Sequence, residues 1–142
     1  MNPAEATNPS NAVVRLEIPA RAEWVAVARL AVAAVASRQR FSVEEIEDIK
    51  LAVAEACTNS IQSLPDGPIE IVCDASADEL VLTVRHRGRT AALGTVEEER
   101  IGDAGRTEEL GVFLIRALMD NVEYSVSLRD GTQIVMTKRV SR

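Results

Sequence analysis

Leu51-Ala-Val-Ala-Glu55-Ala-Cys-Thr-Asn59-Ser60 is the stretch on which the reading of this chain turns. Four-residue spacing sets Glu55 and Asn59 side by side on one helix face, one turn apart. Their surroundings are Ala, Val, Leu and Ile, so that face sits against apolar material. A carboxylate beside an oxygen-bearing amide is the minimal set for holding Mg2+ and orienting a nucleophile near phosphate. The same spacing suits an ordinary half-exposed polar pair on an amphipathic helix, and spacing alone does not separate the two.

Working outward, Ser42-Val-Glu-Glu45 is a capping box, in which a serine oxygen serves free amides and Glu45 reaches back. It opens a long helix that runs through about Leu64, where Pro65-Asp66-Gly67-Pro68 stops it. Upstream, Val13 to Ile18 alternates and ends at Pro19, an opening strand at a sheet edge. Arg21 to Arg38 reads as a helix. Trp24, Val27, Leu30, Ala31, Ala34 and Val35 recur at helical spacing as its inner side, with Arg21, Glu23 and Arg38 marking the wet side.

Downstream, Ile69 to Cys73 and Glu79 to Val84 read as two strands joined by a short acidic turn. On the second of these, Leu82, Val84 and His86 share one face. Gly88 to Thr107 shows little sustained period, and a stretch this long inside a compact domain is usually functional or mobile. Helix signal returns from Glu108 to about Met119. Asn121 to Arg129 and Thr132 to Lys138 are two last strands joined by the Asp130-Gly131 turn. The order predicts an α/β two-layer sandwich, a mixed sheet covered on one face by helices. Glu55 and Asn59 are expected to look into a cavity roofed by the segment before the third helix.

The 142 residues amount to one domain able to bury an aliphatic core without staples. Residues 1–12 read as a disordered leader and 13–142 as the domain. Twenty-two acidic and 16 basic residues give a net charge of -6. That argues against direct nucleic-acid binding, which needs clustered Lys and Arg, and suits a chain that meets other proteins. Cys57 and Cys73 have no metal spacing and are expected to be buried, reduced thiols in a cytoplasmic protein. No stretch approaches the length of a membrane span.

Glu55-Ala-Cys-Thr-Asn59 resembles the N-box of the GHKL ATPases. Within that superfamily the chain resembles the anti-sigma factors that are also serine protein kinases, of the RsbW and SpoIIAB type. Ile18-Pro-Ala, Val35-Ala-Ser37, Glu44 to Lys50, Leu110 to Ile115, Leu118-Met-Asp120, Gly131-Thr132 and Val135 to Lys138 extend the likeness. The resemblance implies a Bergerat, histidine-kinase-like ATPase fold and a regulator of transcription that works by partner switching in a stress response. Glu55 would then be the general base, taking the proton of a partner's serine hydroxyl as it attacks the γ-phosphate of ATP. Asn59 would ligand Mg2+ and face the nucleotide. Arg29 would face the partner protein. Gly88 and Gly111 would let the nucleotide approach the backbone, and Thr132 would lie near adenine. The implied partners are an alternative sigma factor, sequestered, and an anti-anti-sigma protein of the STAS type, phosphorylated; relatives act as homodimers.

Two positions depart from that pattern. His86 stands where the family has an aspartate that accepts from the adenine amino group, and a neutral imidazole offers one acceptor nitrogen where a carboxylate offers several lone pairs. Glu109 brings negative charge to a helix start where a phosphate would otherwise sit. The alternative is therefore a nucleotide-independent, protein-binding regulator with a degenerate ATP site. A sensor kinase's catalytic part is a third reading, but the chain shows no preceding helix bearing a phospho-acceptor histidine.

Overall fold

The computed structural model describes residues 11–63, 67–87, 111–127 and 131–141. Strand β1 (Ala12–Pro19) leads into a 3-10 turn (Ala22–Trp24) and two helices, α1 (Val25–Ala36) and α2 (Val43–Ser63). Strands β2 (Pro68–Ala75) and β3 (Glu79–His86) follow. Residues 111–118 are helical and are called α3. The described chain closes with β4 (Asn121–Ser127) and β5 (Gly131–Arg139). The expected leader, 1–12, falls almost wholly outside the described residues, although Ala12 already pairs with Ala75.

The five strands form one sheet in the order β1-β2-β3-β5-β4. Every pairing among them is antiparallel, which corrects the expectation of a mixed sheet. The two-layer α/β arrangement stands. The correction has a simple origin. β2 to β3 and β4 to β5 are hairpins, and β5 returns beside β3 in the opposite direction, so no parallel crossover is needed.

Register explains the layers, because side chains alternate across each strand. Rows facing the helices run Ile18–Ile69–His86–Thr132–Val126, then Leu16–Ile71–Val84–Ile134–Tyr124, then Val14–Cys73–Leu82–Met136–Val122. Ile69, Ile71, Leu82 and Met136 in these rows are fully buried. The opposite face carries Glu17, Glu70, Arg85 and Gln133 in one row. There Arg85 donates to Glu70 at 3.0 Å and to Gln133 at 3.0 Å, tying the three central strands.

From above, α2 lays Ile49, Ala52, Val53, Ala56 and Cys57 onto the sheet, all at most 3% exposed. Its start is the expected capping box. The Ser42 amide donates to Glu45 Oε1 at 2.8 Å, and the Glu45 amide donates to Ser42 Oγ at 3.1 Å. The Ser141 hydroxyl adds a third bond, to Glu45 Oε2 at 2.6 Å, pinning the end of the described chain to the helix start. That bond, then the Ser42 amide, holds the Glu45 carboxyl below its usual value of 4.5. Burial alone pushes the Cys57 thiol up to about 12 and Cys73 up to about 11, so both are free but inert.

Helix α1 departs from expectation. It buries Ala28, Val32 and Ala36, whereas Trp24, Val27 and Leu30 are 42%, 39% and 68% exposed. Because α1 is apolar nearly all round, period alone does not say which stripe turns inward. Three alanine and valine positions won, since small side chains let α1 lie close against α2, its main helical neighbour. Beyond α1, Gln39 Nε2 donates to the Ser76 and Glu79 carbonyls at 2.8 and 2.7 Å, clamping the β2–β3 turn. Among the described residues, no helix is long and apolar enough to cross a membrane.

Candidate nucleotide site

Where α2, α3 and the strands β3, β5 and β4 meet, a cavity of about 20 Å³ remains. That volume is room for about one water. Asn59 and Ser60 reach it from α2, Val112 and Ile115 from α3, Val84, Ile134 and Thr132 from β3 and β5, and Tyr124 from β4. The lining therefore carries an amide, two hydroxyls and a phenol among otherwise aliphatic side chains. A flat heterocycle with a polar edge has matching chemistry, although ligand pockets usually hold on the order of 300–1,000 Å³. The described walls must part for such a group to enter.

Asn59 lies where the sequence places it, half-buried on the flank of α2 and lining this cavity. Glu55, one turn earlier on the same helix, is also half-buried but is not a lining residue. The inner side of α2 is taken by Ala52, Val53, Ala56, Cys57 and Ser60, so Glu55 stands on the flank of the helix, outside the cavity's lining. Such a placement keeps a carboxylate wettable and able to meet a second protein's hydroxyl.

Thr132 is 8% exposed and donates through its hydroxyl to the His86 carbonyl at 3.4 Å. His86 is the register partner of both Ile69 and Thr132. It is fully buried, as the alternation along β3 predicts, and lies beside Thr132 in the same row without lining the cavity. Gly131 allows this close approach of β5 to the end of β3. Its φ is +79°, and a β-carbon there would overlap the His86 carbonyl and lie 2.5 Å from Arg87 Cα.

Gly111 begins the described part of α3 and packs on Asn59. Arg29 stands exposed on α1, outside the cavity. Gly88 and Glu109 lie outside the described residues. Sequence reasoning missed Ser60 and Tyr124. Ser60 sits four residues after Ala56 on the inner stripe, which helical period shows. Tyr124 needs the β4–β5 register, which places it opposite Ile134.

The donor set bears on a metal. Among the described residues, no group of three or more His, Cys, Asp or Glu gathers to form a cage. One amide oxygen, that of Asn59, suits Mg2+ arriving with phosphate oxygens and water as its other ligands, the usual manner for that ion. The donor chemistry thus suits Mg2+ brought by a nucleotide, once the walls have parted, and among the described residues does not form a stand-alone metal centre.

The family model for the histidine kinase-like ATPase domain matches residues 18–138. The chain belongs to that family. Within the histidine kinase-like ATPases it is of the RsbW type. It is 38% identical over 140 residues to the serine-protein kinase RsbW of Listeria monocytogenes serovar 1/2a, covering 90% of this chain and 87% of that one. It is 34% identical over 140 residues to the serine-protein kinase RsbW of Bacillus mycoides, covering 91% and 86%. The matched span runs from the end of β1 to the end of β5, so it takes in all of the cavity's walls.

Proposed function

We propose that this chain is an anti-sigma factor and protein serine kinase, which holds an alternative sigma factor and phosphorylates a STAS-type anti-anti-sigma partner on serine with Mg-ATP. The observation that carries the reading is the meeting of Asn59 and Thr132 in one cavity, with Glu55 one helical turn before Asn59 on the same flank of α2. Bound Mg-ATP would supply the transferable phosphoryl group and the charge that neutralises it. This chain's own contribution is placement, which is most of what phosphoryl transfer asks of a protein. Asn59 offers Oδ1 to the metal, and Thr132 and Ser60 offer hydroxyls toward the base. The Glu55 carboxylate accepts the proton of the partner's serine hydroxyl.

The partner surface is read on α1. Arg29 is exposed there beside Leu30, Val27 and Trp24, an apolar face rimmed by a cation. Such a combination is typical of protein interfaces. Homodimerisation and a cytoplasmic location belong to the same proposal. The face of the sheet that no described helix covers, with Val13 55% exposed, is surface offered to a second copy.

Titration calorimetry with ATP and Mg2+ tests the nucleotide half. Saturable heat at micromolar nucleotide is expected, and no heat at high micromolar concentration counts against a kinase. Pull-down of sigma and STAS proteins, with and without ATP, tests the partner half. The second reading, a regulator that needs no nucleotide, draws on the narrowness of the cavity and on His86 at the end of β3. Capture of both partners without nucleotide heat would select it.

A further inference from the structure

Gly111 has no conformational reason to be glycine. It is helical, and it is not among the described glycines with positive φ, which are Gly67 and Gly131. Glycine within a helix costs about 1 kcal/mol relative to alanine. What alanine would meet is specific. A β-carbon on Gly111 would overlap Nδ2 of Asn59 and lie 2.5 Å from its Cγ and 2.8 Å from its Oδ1. All three nearest atoms belong to that one side chain.

We propose that Gly111 is the positioning residue of Asn59, its missing side chain forming the slot in which the Asn59 carboxamide is held between α2 and α3. The rest of the local packing agrees. Val112 and Ile115 of α3 close the same cavity that Asn59 and Ser60 enter, so α3 cannot retreat without opening it. Ile115 is fully buried, which anchors α3 one turn on. Lys138 fixes its far end, donating to the Leu118 carbonyl at 2.6 Å and pairing with Asp48 of α2 at 3.7 Å. With α3 held at that end by α2 and β5, an added methyl at 111 must be absorbed by rotation of Asn59. The slot thus aims an oxygen as well as filling space. The metal-ligand role of that oxygen rests on the function proposed above; the slot itself does not.

A double-mutant cycle on unfolding separates the two. Gly111→Ala is expected to lower Tm by roughly 4–10 °C, the effect of a small overpacking. In an Asn59→Ala background the same change is expected to leave Tm unchanged or raise it by about 2–4 °C, because only the helix preference of alanine remains. An equal drop in both backgrounds overturns the proposal. So does failure of the Asn59→Ala, Gly111→Ala double variant to fold, since the overlap is absent there. The Asn59 side-chain amide resonances, assigned by their loss in Asn59→Ala, should move in Gly111→Ala, and unmoved resonances contradict the slot. Finally, Gly111→Ala should weaken Mg-ATP binding about tenfold or more, and adding it to Asn59→Ala should cost nothing further. Coupled stabilities with Mg-ATP affinity untouched by either change would uphold the slot and remove the metal role.

Discussion

Helices α1 and α2 lie side by side on the same sheet, yet they use their apolar residues in opposite ways. α2 concentrates its buried residues on one stripe, from Ile49 through Ala52, Val53, Ala56 and Cys57, and carries Glu55 and Asn59 on its flank. α1 reads Val-Ala-Val-Ala-Arg-Leu-Ala-Val-Ala-Ala-Val-Ala, with one charge in twelve residues, yet only Ala28, Val32 and Ala36 are buried. Leu30 at 68% exposure is more open than either lysine of the chain, Lys50 or Lys138. A helix whose apolar surface exceeds what its own core can take has surface left for something else. α2 presents polar groups for chemistry, whereas α1 presents apolar area for contact.

The strongest break of that contrast is at Glu55. Glu55→Gln keeps shape and removes the acceptor charge, so phosphate transfer to a STAS partner should fall about 10²–10⁴-fold. Stability should stay within roughly ±0.5 kcal/mol, because the residue is half-buried on the flank of α2, outside the core. Radiolabel transfer from γ-labelled ATP measures the first and urea unfolding the second. Normal transfer by the variant would show that the flank of α2 does not carry the base.

A smaller effect separates the two sides of α1. Ala28→Leu forces volume into a fully buried site and should cost about 1–3 kcal/mol in urea unfolding. Leu30→Ala, two residues on, should be neutral within about 0.5 kcal/mol. Its consequence should appear in calorimetry with the sigma or STAS partner, as a loss of about 1 kcal/mol or more if Leu30 is an interface anchor. Equal costs for the two changes in unfolding would mean that Leu30 is held within the domain, and full partner affinity in Leu30→Ala would take α1 out of the interface.

The same contrast explains what was legible in the sequence. α2 was readable because Ser42 and Glu45 mark its start and Pro65 to Pro68 mark its stop, whereas its buried stripe of Ile49, Ala52, Val53, Ala56 and Cys57 came from the structure. β3 was readable because alternation puts His86 with Leu82 and Val84, and all three are buried. On α1 the helix itself was legible but its face was not, since Val27 and Val32 are equivalent letters and only packing against α2 and the sheet tells them apart. Strand direction was also hidden, because a mixed and an antiparallel sheet share the same alternating patterns. The cavity was half legible. Asn59 and Thr132 carry polar atoms that a motif can flag, whereas Tyr124 enters through strand register. Gly111 was flagged as a place where backbone comes close to something, and the described group nearest to it is the Asn59 side chain.

The smallest expected effect lies where the two helices begin. α1 starts at Trp24 with no side-chain cap bond, whereas α2 starts in the reciprocal bonds of Ser42 and Glu45. Ser42→Ala should therefore cost about 0.5–2 kcal/mol, with no counterpart on α1. Glu45 adds a pH signature. Its carboxyl is held below 4.5 by the Ser141 hydroxyl and then by the Ser42 amide, so in acid the unfolded chain takes up this proton before the folded one does. The stabilisation is complete above the unfolded value, near 4.5, and fades as pH falls toward the lowered folded value. Urea midpoints for the parent should thus fall more steeply than those of Glu45→Gln as pH drops from about 5 to about 3, and Ser141→Ala should remove part of the difference. Parallel profiles for parent and Glu45→Gln would mean that the bond from Ser141 does not bias the carboxylate. The start of α2 would then be held by Ser42 alone, much closer to the uncapped start of α1.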